Sequence, residues 1–181
     1  MGVSEDFERC LRGGGVAVFP ADTVYGLACA PDQAAAIERL YALKGRDRGK
    51  PAAIMHFSAA TLPPLEPRTA RAARALLPGP VTLLVPGPDG ITGLRLPDVP
   101  LLAGVTMPVL QTSANHAGGP DARRLEEVPA VIRAGADLVL DGGELPGTPS
   151  TVVDLTDYEA TGAWRVVRAG ALGRAALAAV L

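Results

Sequence analysis

The hydrophobic positions change period along the chain. Residues 16–20, VAVFP, form an apolar run of strand length, and such a run bounded by turn signals reads as a short buried strand. From 33 to 43, Ala36, Ile37, Leu40 and Leu43 recur at helical spacing behind Pro31 and Asp32. That spacing predicts a helix over 33–43, with Asp32 as its N-cap and Lys44 at its C-terminal end. Ser4, followed by acids and then Phe7 and Leu11, predicts a capped first helix ended by Gly13, Gly14 and Gly15. Strands are predicted at AIMHF (53–57), VTLLVP (81–86), GLRLP (93–97), PVLQTS (108–113), ADLVLD (136–141), STVVDL (150–155) and WRVVR (164–168), bounded by Pro or Gly. Further helices fit 68–77, 124–133 and 173–180. Pro129 is tolerated only in a first turn, which leaves the start of the 124–133 helix open.

Strands and helices interleave without repeats, low-complexity tracts or an obvious linker. The expectation is an α+β (mixed α/β) fold, one domain over 1–181 built on a mixed sheet. Polar segments fall at strand ends, where ligands of such sheets usually bind. A chain of 181 residues removes roughly 70% of its unfolded surface from water, enough for a real core. Aromatics at 4% leave Ala, Leu, Val and Pro to fill it.

Charge narrows the function. With 17 Lys+Arg against 19 Asp+Glu, the net charge of -2 offers no general attraction to nucleic acid or an anionic membrane. Any anion must be bound locally. Cys10 and Cys29 form no CxxC pair, which suggests neither a disulfide framework nor a thiolate metal site and fits a reducing cytoplasm. The acidic N-terminus has no apolar leader, and the stretch LLAGVTMPVL (101–110) falls short of the roughly 18 residues of a membrane span. A soluble, cytoplasmic chain without membrane partners is expected.

Against that balance, YALKGRDRGKPAA (41–53) sets Lys44, Arg46, Arg48 and Lys50 into seven positions. An extended chain there would project all four from one face, suited to a polyphosphate. The plainer reading, cations complementing the negative end of a helix, is worth about 0.3–1 kcal/mol and suffices for Lys44 alone. The segment is no Walker motif, since Gly45 to Lys50 is too short and Pro51 has no hydroxyl. GGGVAVFP is no dinucleotide fingerprint, because its glycines precede the strand. His56 and His116 are the only histidines, so no His-rich metal site is available. Ser113, His116 and Asp121 only caricature a hydrolase triad, without a GxSxG elbow, and His116 is expected at the surface. The remaining polar signals lie in FPADTVYGLACAP (19–31), QTSANHAGGP (111–120) and PSTVVDL (149–155). Taken singly they read as turn and capping residues; together they can line a pocket.

FPADTVYGLACAP, LYALKGRDRGKP, PGPVTLLVP, LRLP, TSAN, STVVD and VVRAG occur in the order and at roughly the spacing of the YrdC-type threonylcarbamoyl-AMP synthases, over about residues 13–172. The chain resembles that family in its short, single-domain form. The resemblance implies a twisted mixed sheet flanked by helices around a concave basic cavity. It also implies an L-threonylcarbamoyladenylate synthase, a nucleotidyltransferase joining L-threonine, bicarbonate and ATP into threonylcarbamoyl-AMP and pyrophosphate, for threonylcarbamoyladenosine in tRNA. Lys44 and Arg46 match the family's KxR, implying a catalytic hold on the ATP phosphates, while Arg48 and Lys50 match no fixed role. Ser113, Asn115 and Arg168 match the nucleotide side; Thr23, Arg95 and Ser150 or Thr151 match the threonine side. A carboxylate suits a forked guanidinium, and a phosphate suits fixed cations and neutral donors. The implied mechanism needs no protein nucleophile and no protein metal ligand, Mg2+ being carried by the ATP phosphates and water. Implied partners are a threonylcarbamoyl transferase complex that takes the product and, by contact, tRNA.

The sequence departs from the family at Ala21, His116-Ala117, Asp121 and Ala169, and an acid at 121 would repel a polyphosphate. With the sequence running to Leu181, the C-terminal domain of the long form is not expected. Two rivals share the fold: a carbamoyl-transfer module of another pathway, and a non-catalytic RNA-binding protein. The acidic balance and the lack of an aromatic stacking surface count against RNA binding.

Overall fold

A computed structural model describes residues 2–45, 52–88 and 90–181. In chain order the elements are helix α1 (Val3–Arg12), strands β1 (Val16–Pro20) and β2 (Tyr25–Cys29), helix α2 (Ala34–Lys44), strand β3 (Ala53–Met55), helix α3 (Pro67–Leu76), strands β4 (Val81–Gly87), β5 (Gly90–Arg95) and β6 (Val109–Ser113), helix α4 (Ala130–Gly135), strands β7 (Leu138–Val139) and β8 (Thr151–Asp154), helix α5 (Tyr158–Thr161), strand β9 (Arg165–Arg168) and helix α6 (Arg174–Ala178). Short 3-10 turns occupy Ala59–Thr61, Pro100–Leu102 and Leu125–Glu127. The strands make one mixed sheet in the order β7-β1-β2-β6-β3-β5-β4-β8-β9. Among the described residues no helix is long and apolar enough to cross a membrane.

The period-2 alternation of the strands decides what faces what. Leu27, Leu83, Leu94 and Val153 are fully buried on one face. There α2 and α4 bring Leu40 and Ile132 against β1 and β2, while α3 and α6 bring Leu76 and Leu177 against β4, β5 and β8. On the other face, α1 places Phe7 and Leu11 over Phe19, Ala28, Met55 and Val109. Phe7 and Phe19 lie 5.4 Å apart between ring centroids, a tilted pair of the kind worth about 0.5–1.5 kcal/mol beyond burial. Where α1 stops, this second face opens.

Several elements differ from the sequence expectation. Residues 25–29 pair as a central strand, antiparallel to both β1 and β6. Gly26 and Ala28 obscure the strand signal, yet Gly26 is needed: a Cβ there would lie 2.6 Å from a Phe19 ring carbon. The helix expected over 124–133 divides into the 3-10 turn and α4, because Pro129 has no amide to donate and serves as the N-cap of α4. The strand expected over 136–141 shrinks to Leu138–Val139, paired parallel to β1. The N-cap of α2 is Gln33, one residue beyond Asp32. Lys44 belongs to that helix, and Gly45 closes it in the left-handed conformation with φ of 60°. Lys44 is therefore helical rather than extended. Arg46, Arg48 and Lys50 lie outside the described residues.

Candidate functional site

Residues paired across a sheet project to the same face, so the register reads out the floor of the open face. Ser113 pairs with Gly26, and Gln111 with Ala53. Leu84 pairs with Gly93, Thr82 with Val152, and Val152 with Arg168. Arg95 joins this face through its pairing with Met55. All but Met55 line one cavity of about 420 Å³. The centre of its floor is Gly26, Ala53 and Gly93, whose small size leaves the volume empty. A Cβ on Gly93 would already approach that of Ala53 to 3.2 Å.

Polar groups ring this floor. Arg95 is 4% exposed and donates from Nη2 to Oδ1 of Asp22 at 2.5 Å. Burial pulls the guanidinium pKa down, with the Asp22 carboxylate opposing and the Arg168 charge adding to the fall. Burial likewise pushes the Asp22 carboxyl up, against the pull of Arg95. Arg168, at the exposed mouth, donates from Nη2 to the carbonyl of Ser150 at 2.6 Å and lies 3.2 Å from its Oγ. Ser150 Oγ in turn lies 2.9 Å from Thr82 Oγ1. A chain of hydroxyls thus leads from the mouth to the floor.

Of the sequence-predicted residues, Thr23, Arg95, Ser113, Ser150 and Arg168 line this cavity. Thr151 does not. Alternation turns it to the core face, where its hydroxyl donates to the Leu172 carbonyl at 2.7 Å and accepts from the Leu172 amide at 2.9 Å. Lys44 and Asn115 sit behind the lining. The Lys44 ammonium, 3% exposed, donates to the Ser113 carbonyl at 2.6 Å, the Asn115 carbonyl at 2.9 Å and Asn115 Oδ1 at 2.6 Å. Ser113 Oγ donates to the same Oδ1 at 2.7 Å, and the Asn115 amide nitrogen donates to Gly119 O at 2.6 Å. Lys44 therefore ties the end of α2 to the turn that presents Ser113. His116 is exposed, and neither it nor Asp121 lines the cavity.

Residues without an assignment in the sequence reading also reach the cavity, notably Thr82 and Gln111. The Gln111 side chain is 7% exposed and, among the described residues, makes no hydrogen bond. Both stand at alternate positions of recognisable strands, so the period-2 pattern was the signal that would have found them. Among the described residues no group of three or more His, Cys, Asp or Glu side chains could hold a metal ion.

A family model described as telomere recombination, Sua5/YciO/YrdC, matches residues 9–170. The chain belongs to the Sua5/YciO/YrdC family. It is 32% identical over 172 residues to the threonylcarbamoyl-AMP synthase of Thiobacillus denitrificans, covering 85% of this chain and 92% of the relative. With that of Pseudomonas aeruginosa it shares 37% identity over 166 residues, covering 81% and 89%. Among solved structures of the Sua5/YciO/YrdC fold, P. abyssi Sua5 complexed with L-threonine superposes with a TM-score of 0.88 at 24% identity, over 98% of this chain and 57% of that one. E. coli YciO superposes with a TM-score of 0.79 at 26% identity, over 93% and 88%.

Proposed function

We propose that the protein is an L-threonylcarbamoyladenylate synthase, joining L-threonine, bicarbonate and ATP into threonylcarbamoyl-AMP and pyrophosphate. One observation carries this reading from the site upward: two guanidiniums, Arg95 and Arg168, and the hydroxyls of Thr23, Ser113 and Ser150 face one cavity. Among the described residues lining that cavity there is no Cys or His to act as a nucleophile. Relatives named threonylcarbamoyl-AMP synthase, matched over most of their length, supply the reaction.

The chemistry suits such a site. The threonine amine takes up bicarbonate with loss of water to give a carbamate. A carbamate oxygen then attacks the α-phosphorus of ATP, and the bond to the leaving pyrophosphate breaks. Two anions must be brought together, so the protein's work is positioning and charge neutralisation. Arg95 faces the threonine carboxylate, with Thr23 and Ser150 reading the same ligand. Arg168 and Ser113 serve the nucleotide, and Lys44 and Asn115 fix Ser113 from behind; Arg46, outside the described residues, keeps the phosphate role that the family's KxR implies. Mg2+ travels with the phosphates and its water, with no step assigned to it. The product goes to a threonylcarbamoyl transferase acting on tRNA.

The test is pyrophosphate release with ATP and Mg2+, omitting threonine or bicarbonate in turn and replacing threonine by other amino acids. The reading expects release that needs both. Threonine-independent release, or none while ATP still binds, would overturn it.

A further inference from the structure

Behind the cavity wall, one oxygen gathers two of the groups that face the amino acid. Asp22 Oδ1 accepts from Arg95 Nη2 at 2.5 Å and lies 3.4 Å from the Thr23 hydroxyl. Asp22 does not line the cavity, whereas Arg95 and Thr23 do. The pair is buried, with side-chain exposures of 4% for Arg95 and 10% for Asp22. It is also half made: Asp22 Oδ2 and Arg95 Nε are both buried without a partner. A guanidinium normally meets a carboxylate through two parallel bonds. Here a single bond holds it, so the guanidinium is anchored by one nitrogen and its plane is not locked against the carboxylate.

We propose that Asp22 is the positioning residue of the amino-acid end of the cavity: its Oδ1 sets the direction of Arg95 and Thr23 without touching the substrate. The inference rests on the threonine-dependent reading above. Its physical basis is the burial of the pair. A guanidinium in this setting, with Arg168 close enough to disfavour its charge, is held in one place only while a counter-charge anchors it. Without Asp22, Arg95 swings or draws solvent in, and the ligand carboxylate loses its preformed partner. The acid sits on the turn between β1 and β2, so the strand pairing of Pro20 with Tyr25 fixes its place.

Pyrophosphate release and calorimetric threonine binding are measured for wild type, Asp22→Ala, Arg95→Met and the double variant, with melting temperatures alongside. Asp22→Ala is expected to raise the threonine KM by about 10-fold or more and to leave the ATP KM within about 2-fold. The double variant is expected to be no worse for threonine than Arg95→Met alone, within about 2-fold, because Asp22 acts through Arg95. Asp22→Asn keeps an acceptor at Oδ1 and is expected to restore the threonine KM to within about 3-fold of wild type. Asp22→Ser, too short to reach the guanidinium, carries the alanine expectation if that variant does not fold. An unchanged threonine KM, an equal rise for ATP, or additive losses in the double variant would overturn the proposal while leaving the synthase reading intact. A wild type that neither binds nor uses threonine would overturn both.

Discussion

Arg168 reaches across from the last strand of the sheet to donate a 2.6 Å hydrogen bond to the carbonyl of Ser150. The sequence reading sets Arg168 with the nucleotide and Ser150 with threonine, so this contact is where the two expected halves of the site meet. In the proposed reaction the adenylate forms at this junction, since the carbamate oxygen and the α-phosphorus must come within bonding distance. The contact also makes Ser150 a shared support rather than a simple ligand hydroxyl.

Ser150 and Thr151 therefore have separable roles. Ser150→Ala removes the hydroxyl between Thr82 and Arg168 and is expected to lower kcat/KM by about 10-fold with little change in stability. Thr151→Val leaves the Leu172 amide and carbonyl without their buried partner, costing about 1–3 kcal/mol of stability. Its kinetic constants should stay near wild type. Denaturant melts and kinetics on the same two preparations check both, and the opposite assignment of losses would reverse the roles.

Arg95→Lys keeps a charge but not a planar fork. The expected outcome is threonine affinity weakened by about 10-fold or more, equivalent to roughly 1.4 kcal/mol, with ATP binding hardly changed. Calorimetric titration of each ligand distinguishes this from a general loss. An equal loss for ATP would remove Arg95 from the amino-acid end.

Lys44→Met tests a different kind of cation. The ammonium holds the Ser113 and Asn115 carbonyls and the Asn115 side chain together, so its removal leaves buried acceptors unsatisfied. A stability loss of about 1–3 kcal/mol is expected alongside weakened ATP use. A Lys44→Met protein of wild-type stability but poor ATP affinity would instead mark a direct phosphate contact.

Much of this arrangement is legible in the chain, and the failures have physical causes. Helix α2 announces itself because Leu40 and its neighbours repeat at helical spacing with one buried stripe. Strand β2 hides because Gly26, on the cavity floor, must leave room for the Phe19 ring, and Ala28, farther along the same face, is a small core residue packed with Phe7 and Leu11 of α1. The motifs containing Thr23, Ser113 and Ser150 are visible in the sequence, but their convergence depends on strand order, which β3 and β5 alter by inserting between β6 and β4. Asp22 stands inside a recognised motif, yet its partner Arg95 is far along the chain. Only the fold joins them.

His56 supplies a pH-dependent stability term. It is 4% exposed, and its Nδ1 lies 3.0 Å from Thr61 Oγ1, whose hydroxyl donates to Ser58 O. Nδ1–H is therefore the donor in that contact. Burial lowers the His56 pKa, against an opposing push from Thr61. The unfolded chain, with His near its ordinary value of about 6.5, binds the proton first as pH falls. Stability is thus lost as pH drops below that value towards the lower folded pKa. Urea midpoints compared between about pH 7 and pH 5 should fall more for wild type than for His56→Gln. A steeper fall in the variant would contradict the burial argument.

The central claim is the joining of three substrates in one cavity, and mass spectrometry of the nucleotide product tests it most directly. Incubated with ATP, Mg2+, L-threonine and carbon-13 bicarbonate, the protein is expected to yield threonylcarbamoyl-AMP carrying the heavy carbon, together with pyrophosphate. Formation of AMP and pyrophosphate without a carbamoylated adenylate, or an adenylate carrying threonine but no labelled carbon, would contradict the account.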